Sequence, residues 1–238
     1  LHRRFDDKEF KRVSRREILK LAPLVAAGAL VIPPARDYLL DRGVAFTDWA
    51  AGKVFRRGHL APTYPDSELT PINRFAYNSY DTNTPEIDPD WSLEVSGLVR
   101  KPGNYSLDDL RRLPKITQNT RHICIEGWDV VGNFAGARVS DFLNLIGADT
   151  GARFVYVECA DDYYETLDME TAMHPQSLLC YEMYGKPLQA GHGAPLRFAL
   201  PTKIGYKSAK YLTSLKVTNV LSQRSYWGDQ GYSWYAGI

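Results

Sequence analysis

Three cysteines stand at 124, 159 and 180, and the first has neighbours that suit metal or nucleophile chemistry. In Thr120-Arg121-His122-Ile123-Cys124-Ile125-Glu126-Gly127-Trp128 a thiol ends a β-rich run, with a cation three residues before it and glycine just after. Arg121 and a protonated His122 would favour the thiolate, the form that attacks electrophiles and binds soft metals. A buried, inert strand cysteine is the alternative that this stretch alone leaves open.

A second cluster lies downstream. His192-Gly193-Ala194-Pro195-Leu196-Arg197 is followed by Lys203, Lys207 and Lys210 around Ile204-Gly205-Tyr206, and no acid occurs between Gly191 and Gly228. Guanidinium forks, ammonium groups and glycine-exposed backbone N–H groups in one stretch suit an anion such as a phosphate. A solvated basic face is the plainer reading, and the interleaved Pro, Gly and aromatic residues weigh against it.

Other chemistries find no support. The chain has no G-x-G-x-x-G or Walker loop, no C-x-x-C, C-x-x-C-H or H-E-x-x-H, and no G-x-S-x-G elbow. The acids Glu158, Asp161, Asp162, Glu165, Asp168 and Glu170 could supply a paired-carboxylate site, but such a run reads first as solvated loop.

The elements that must position these groups are short. Trp91 to Val95 alternates like a strand closed at Gly97, and Ser106 with Asp109 three residues on caps a brief helix before Pro114. Ile116 to Ile125 reads as a strand, Ser140 to Ile146 as a capped helix stopped by Gly147, and Phe154–Glu158, Leu196–Leu200 and Tyr211–Val220 as further strands. Residues 36–90, with Pro62, Pro65, Pro71, Pro85 and Pro89, read as extended, turn-rich chain. Without a steady βαβ rhythm the expected class is α+β, with mixed sheets and short helices.

With 238 residues, 44% hydrophobic and 24% charged, the chain can bury a core, which excludes a disordered or fibrous protein. The net charge of +1 conceals an uneven distribution: residues 1–35 hold eight Lys/Arg and four Asp/Glu, leaving 21 basic and 24 acidic residues for 36–238. A mildly acidic body argues against nucleic acid as a partner. Ser14-Arg15-Arg16-Glu17-Ile18-Leu19-Lys20 before the uncharged Leu21–Ala35 run has the layout of a twin-arginine export signal. The expected organisation is thus a signal at 1–35, a wrapping segment at 36–74 and one domain at 75–238, exported to the periplasm, with cleavage of the leader or its retention as an anchor left open.

The motifs Tyr77-Asn78, Arg121 to Trp128, Ala172-Met173-His174-Pro175, Tyr184-Gly185-Lys186, Gly193-Ala194-Pro195-Leu196-Arg197 and Gly205-Tyr206-Lys207 with Lys210 occur together in this order. In them the chain resembles the sulfite oxidase family of molybdopterin enzymes, from about Phe75 to about Val220. The resemblance implies a sulfite oxidase-type fold and a molybdenum-molybdopterin cofactor. It makes Cys124 the protein thiolate on the metal and Arg121 its catalytic neighbour. It assigns Asn78, Asp81, Thr82, Cys159, His192, Arg197, Lys207, Ser208, Ala209 and Lys210 to cofactor binding. Cys159 stands where sulfoxide-reducing relatives commonly have Thr, and His192 where they have Asn and many sulfite oxidases have His. The implied activity is two-electron oxygen-atom transfer on a sulfoxide-type or related small molecule. A sulfite-oxidising dehydrogenase and a non-catalytic exported anion-binding module are the alternatives. The chain stops short of the dimerisation domain of sulfite oxidases, so their dimer is not carried over. Lacking haem and iron–sulfur motifs, the chain implies a separate haem- or quinone-linked electron partner. With Cys124 on the metal and Cys159 beside the cofactor, no Cys159–Cys180 disulfide is expected.

Overall fold

The computed structural model describes residues 59–78, 84–86, 88–221 and 225–238, together with Arg42, Phe46 and Ala50. The chain divides into two compact units, Leu1–Thr47 and Asp48–Ile238, and almost all described residues lie in the second. The export motif and the Asp81 and Thr82 assignments fall outside the described residues.

Two five-stranded sheets build the second unit. The first runs β2 (Gly103–Ser106), β1 (Ser92–Gly97), β10 (Leu212–Thr218), β5 (Phe154–Cys159), β6 (Tyr164–Asp168). Its one parallel pair is β1 with β10, Glu94 opposite Ser214, so the chain's late strand inserts beside its first. The second runs β3 (Lys115–Ile123), β4 (Asp129–Arg138), β7 (Leu178–Met183), β8 (Lys186–Pro187), with β9 (Arg197–Ala199) also on β7. Helices are brief: α1 (Leu107–Arg111), α2 (Val139–Leu145), α3 (Met169–Met173) and α4 (Tyr226–Asp229).

Local chemistry explains several of these elements. Ser106 and Asp109 form the expected capping box on α1, each side chain taking the other's backbone N–H. Helix α2 starts one residue earlier than expected, with Arg138 at the N-cap and no side-chain cap, because β4 runs straight into it. The main core packs Leu93, Val95, Val155, Val157, Leu215 and Val217 of the first sheet against Phe142, Leu143 and Ile146 around α2. These apolar residues recur at every second strand position, the signature of a face buried on one side. A smaller core of Phe75, Phe134, Leu178, Cys180 and Ala199 lies at the second sheet.

Two expectations are corrected. Arg42, Phe46 and Ala50 are helical, not extended, and the stretch between Pro34 and Pro62 contains no proline to prevent it. The acidic run is solvated loop only in part: Asp161 and Asp162 sit in a turn, but Glu158, Glu165 and Asp168 belong to β5 and β6, and Glu165 is fully buried against Lys207. Cys159 lies on β5 and Cys180 on β7, and all three cysteines are free.

Candidate cofactor site

Cys124 directly follows β3, in the tight turn to β4. Its N–H donates to the Trp128 carbonyl (2.8 Å) and its own carbonyl accepts from Gly127 N–H (3.1 Å), so a hydrogen-bonded turn fixes the half-buried thiol. It faces a cavity of about 270 Å³ shared with Phe75, Tyr77, Asn78, His122, Glu126, Asp161, Tyr163, His192, Arg197, Ser208, Ala209, Lys210 and Trp227. Segments distant in sequence thus converge: the end of β3, the approach to β9, and the 205–210 stretch before β10.

The far wall is rich in cations, with Asp161 the acid whose charge reaches Lys210. Arg197 is only 4% exposed, and its guanidinium donates to three backbone carbonyls, His192 (3.0 Å), Phe198 (3.1 Å) and Ser208 (3.3 Å). Lys210 Nζ donates to Gly191 O (3.1 Å) and lies 5.8 Å over the Tyr77 ring. Among the described residues no carboxylate comes within ion-pair distance of either. Burial and the neighbouring Arg197 push the Lys210 pKa down to about 8, and burial lowers that of Arg197 as well. Gly193 adopts φ +97°, and a Cβ there would come within 2.8 Å of Lys210 Cβ, so only glycine lets this turn close on the lysine.

His192 completes the wall. It is buried, wedged between Phe75 and Tyr77 at ring separations of 5.2 and 5.3 Å, and its Nδ1 has no hydrogen-bond partner. Burial, then Arg197 and Lys210, push its pKa to about 4, so at neutral pH one ring nitrogen is a donor and the other an acceptor. Buried charges are normally paired and buried polar atoms normally bonded. A cavity that leaves Arg197 without an anion and His192 Nδ1 without a partner has the donor set of a site for an anionic, hydrogen-bonding ligand.

Each expected site residue among those described has a definite place. Asn78 sits at the mouth and donates to Glu126 Oε2 (2.5 Å), which also accepts from Trp128 Nε1 (3.2 Å). Ser208, Ala209 and Lys210 line the cavity, and Ser208 Oγ accepts from Leu200 N–H (3.2 Å). Cys159 lies in the core behind Asp161 and Tyr163, its thiol pKa raised by burial, so it backs the wall without forming it. Lys207 turns away from the cavity into a buried pair with Glu165 and is not one of its walls.

Arg121 is also corrected. It pairs with Asp129 (3.1 Å), lies 5.5 Å over Tyr64 and faces a separate cavity of about 650 Å³, because alternation along β3 sends 121 and 122 to opposite faces. His122 does face Cys124's cavity, but burial followed by Arg197, Lys210 and His192 pushes its pKa to about 3, so it is neutral at neutral pH. Burial, against backbone hydrogen bonds from Glu126 and Ile125, raises the Cys124 pKa, and neither expected cation acts on it. Tyr163 and Trp227 carry no local signal in sequence and reach the wall only through the fold.

The residues fit a molybdopterin. Cys124 offers a metal one thiolate, and among the described residues no group of three His, Cys, Asp or Glu could hold a metal by itself. The phosphate of a molybdopterin matches the cation wall, and a heterocycle matches His192 Nδ1.

Comparison with known proteins agrees. The family model described as oxidoreductase molybdopterin binding domain matches residues 81–227. The putative protein-methionine-sulfoxide reductase subunit YedZ1 of Azospira oryzae is 44% identical over 195 residues, covering 81% of this chain and 73% of that protein. The protein-methionine-sulfoxide reductase catalytic subunit MsrP of Ralstonia nicotianae is 30% identical over 228 residues, covering 85% and 68%. The crystal structure of the sulfane dehydrogenase SoxCD from Paracoccus pantotrophus superposes with a TM-score of 0.59 at 22% identity, over 68% of this chain. This chain spans 46% of that one, and the likeness shows the shared α+β fold. By its family match and its relatives, the chain belongs to the molybdopterin-binding oxidoreductases of the sulfite oxidase family.

Proposed function

We propose that this oxidoreductase reduces a sulfoxide, with methionine sulfoxide as the substrate class, and that it works in the periplasm after export by the twin-arginine route. The observation that carries the reading is one cavity that pairs the Cys124 thiol with a cation wall and a buried imidazole lacking a partner. The cofactor, when bound, supplies a metal that changes by two electrons and exchanges an oxygen atom with substrate. The chain's own residues do the rest. Cys124 would hold the metal as a thiolate, a form that metal coordination favours over the free thiol. Arg197, Lys210, His192 and the Ser208–Lys210 backbone would hold the phosphate and pterin. Asn78 and Trp128 fix the Glu126 carboxylate at the mouth, two residues after Cys124.

That carboxylate favours reduction of a sulfoxide over oxidation of sulfite. An exposed negative charge beside Cys124 repels sulfite and leaves a neutral sulfoxide unaffected. The names of the relatives point to the same substrate, in polypeptides. They also call those proteins subunits, which supports a separate electron donor, haem- or quinone-linked, for this chain. Turnover is tested with a reduced artificial carrier against free methionine sulfoxide and a methionine sulfoxide peptide, and with an oxidised carrier as electron acceptor against sulfite. Sulfoxide consumption that falls to background in Cys124→Ser is expected. Sulfite oxidation without sulfoxide reduction contradicts the reading.

A further inference from the structure

Lys207 and Glu165 form a fully buried ion pair, Nζ to Oε1 2.5 Å, with side-chain exposures of 2% and 0%. Lys207 Nζ also donates to Thr166 O (2.9 Å) and lies 5.4 Å from the Trp234 ring, whose Nε1 donates to the same carbonyl (3.0 Å). Glu165 Oε1 accepts in addition from Thr166 N–H (2.8 Å), and the strand residue is bridged to Ser225. The turn that carries Lys207 is fastened residue by residue. Lys203 Nζ donates to Tyr235 O (2.8 Å), Ile204 N–H to Ala236 O (2.9 Å) and Tyr206 OH to Ser233 O (2.6 Å). The Tyr206 carbonyl accepts from Tyr163 OH (2.9 Å).

Immediately after this turn come Ser208, Ala209 and Lys210, which line the cofactor cavity and belong to no strand or helix. Only one turn of 3₁₀ helix, Gly205–Lys207, precedes them, too short to hold a segment in place by its own hydrogen bonds. We infer that the Glu165–Lys207 pair is a positioning element for this segment, tying β6 and the 233–236 stretch to the residues that grip the cofactor. A buried ion pair rarely adds net stability over a hydrophobic pair of the same volume. Its geometric specificity is the reason to keep one next to a ligand cradle: an ammonium held by a carboxylate and a carbonyl at once fixes where the backbone leaves the turn. This inference rests on the cofactor reading above, since Lys207 itself does not touch the cavity.

The test compares the parent with Lys207→Met, Lys207→Arg and the Glu165→Gln, Lys207→Met double variant, all purified from a molybdopterin-competent host. Pterin retained after dilution is measured over time, and thermal unfolding is measured on the same proteins made cofactor-free in a host lacking pterin synthesis. The double variant leaves no unpaired buried charge, so it folds even where Lys207→Met does not. It is expected to lose pterin at least tenfold faster than the parent, with Lys207→Arg recovering most of the retention. Parent-like retention in the double variant overturns the inference, whatever its melting temperature, because a purely structural pair moves unfolding alone. Failure of the cofactor reading shows differently: the parent itself then carries no pterin.

Discussion

Lys203 and Lys207 differ from Arg197 and Lys210 in what faces them, although all four come from one acid-free stretch. Lys207 meets Glu165, and Lys203 approaches Asp168 (3.8 Å), with the Tyr235 ring 3.2 Å from its ammonium. Arg197 and Lys210 donate to carbonyls and face aromatic rings, with no carboxylate at ion-pair distance among the described residues, although the charge of Asp161 reaches Lys210. The first two charges are balanced within the fold, so they serve its geometry. The second two are left for something that the chain does not provide. Counting cations along a sequence cannot make this separation, because the acids that balance half of them arrive from β6, some forty residues away.

The largest effect expected from breaking this contrast is on the balanced side. Glu165→Gln leaves the Lys207 ammonium buried without its counter-ion and should destabilise the cofactor-free domain by about 3–5 kcal/mol, read from urea unfolding. A smaller loss in the double variant that neutralises both partners would confirm that the cost is an orphaned charge. On the unbalanced side, Arg197→Ala should disturb the cofactor-free fold less, since three lost carbonyl partners are offset by removal of an uncompensated buried cation. It should instead weaken cofactor retention by about 1.5–3 kcal/mol, the scale of a charge-assisted hydrogen bond, measured as pterin content after dialysis.

Lys210 sharpens the comparison through pH. Burial and Arg197, opposed by Asp161, bring its pKa to about 8, below the ordinary lysine value of 10.5. The fold therefore disfavours the ammonium, and ligand-free stability should rise as pH climbs from about 8 toward 10.5, where the unfolded chain still holds the proton. Anion binding should run the opposite way, with inorganic pyrophosphate held more weakly above pH 8 as the charge is lost. Titration calorimetry should find that step in the parent and miss it in Lys210→Met. The smallest effect belongs to Arg121→Ala, exposed and paired with Asp129 outside the cavity, which should leave cofactor content unchanged and stability within about 0.5 kcal/mol. A loss of cofactor there would return Arg121 to the site.

Much of the scaffold was legible where local chemistry decides. The capping box of α1, the alternation of β1 and the strand leading to Cys124 all follow from neighbours in sequence. Strands β4 and β7 were not. β4 contains Gly132, Asn133 and Gly136, residues that discourage a strand reading. Gly136 is there because a Cβ would lie 2.0 Å from the Leu179 carbonyl, a close approach visible only once β7 is in place. β7, Leu178–Met183, is buried on both faces and so lacks alternation. Glu165 looked solvated because its partner lies 42 residues on. At the site, Cys124, His192, Arg197 and Ser208–Lys210 were readable as motif, and the cavity brings them together. The placement of Arg121 and Lys207 was not readable, since it depends on which face of β3 and which side of a turn the fold presents.

The central claim is that the unbalanced cations and the Cys124 thiol serve one molybdopterin. Metal and pterin analysis of the chain purified from a molybdopterin-competent host tests it most directly, with Cys124→Ser and Arg197→Ala prepared in parallel. The account predicts molybdenum and pterin in equal, near-stoichiometric amounts in the parent. It predicts loss of the thiolate-to-metal absorption in Cys124→Ser and reduced content of both in Arg197→Ala. A parent that folds without molybdenum or pterin, from a host that loads another molybdopterin enzyme in the same preparation, would contradict it.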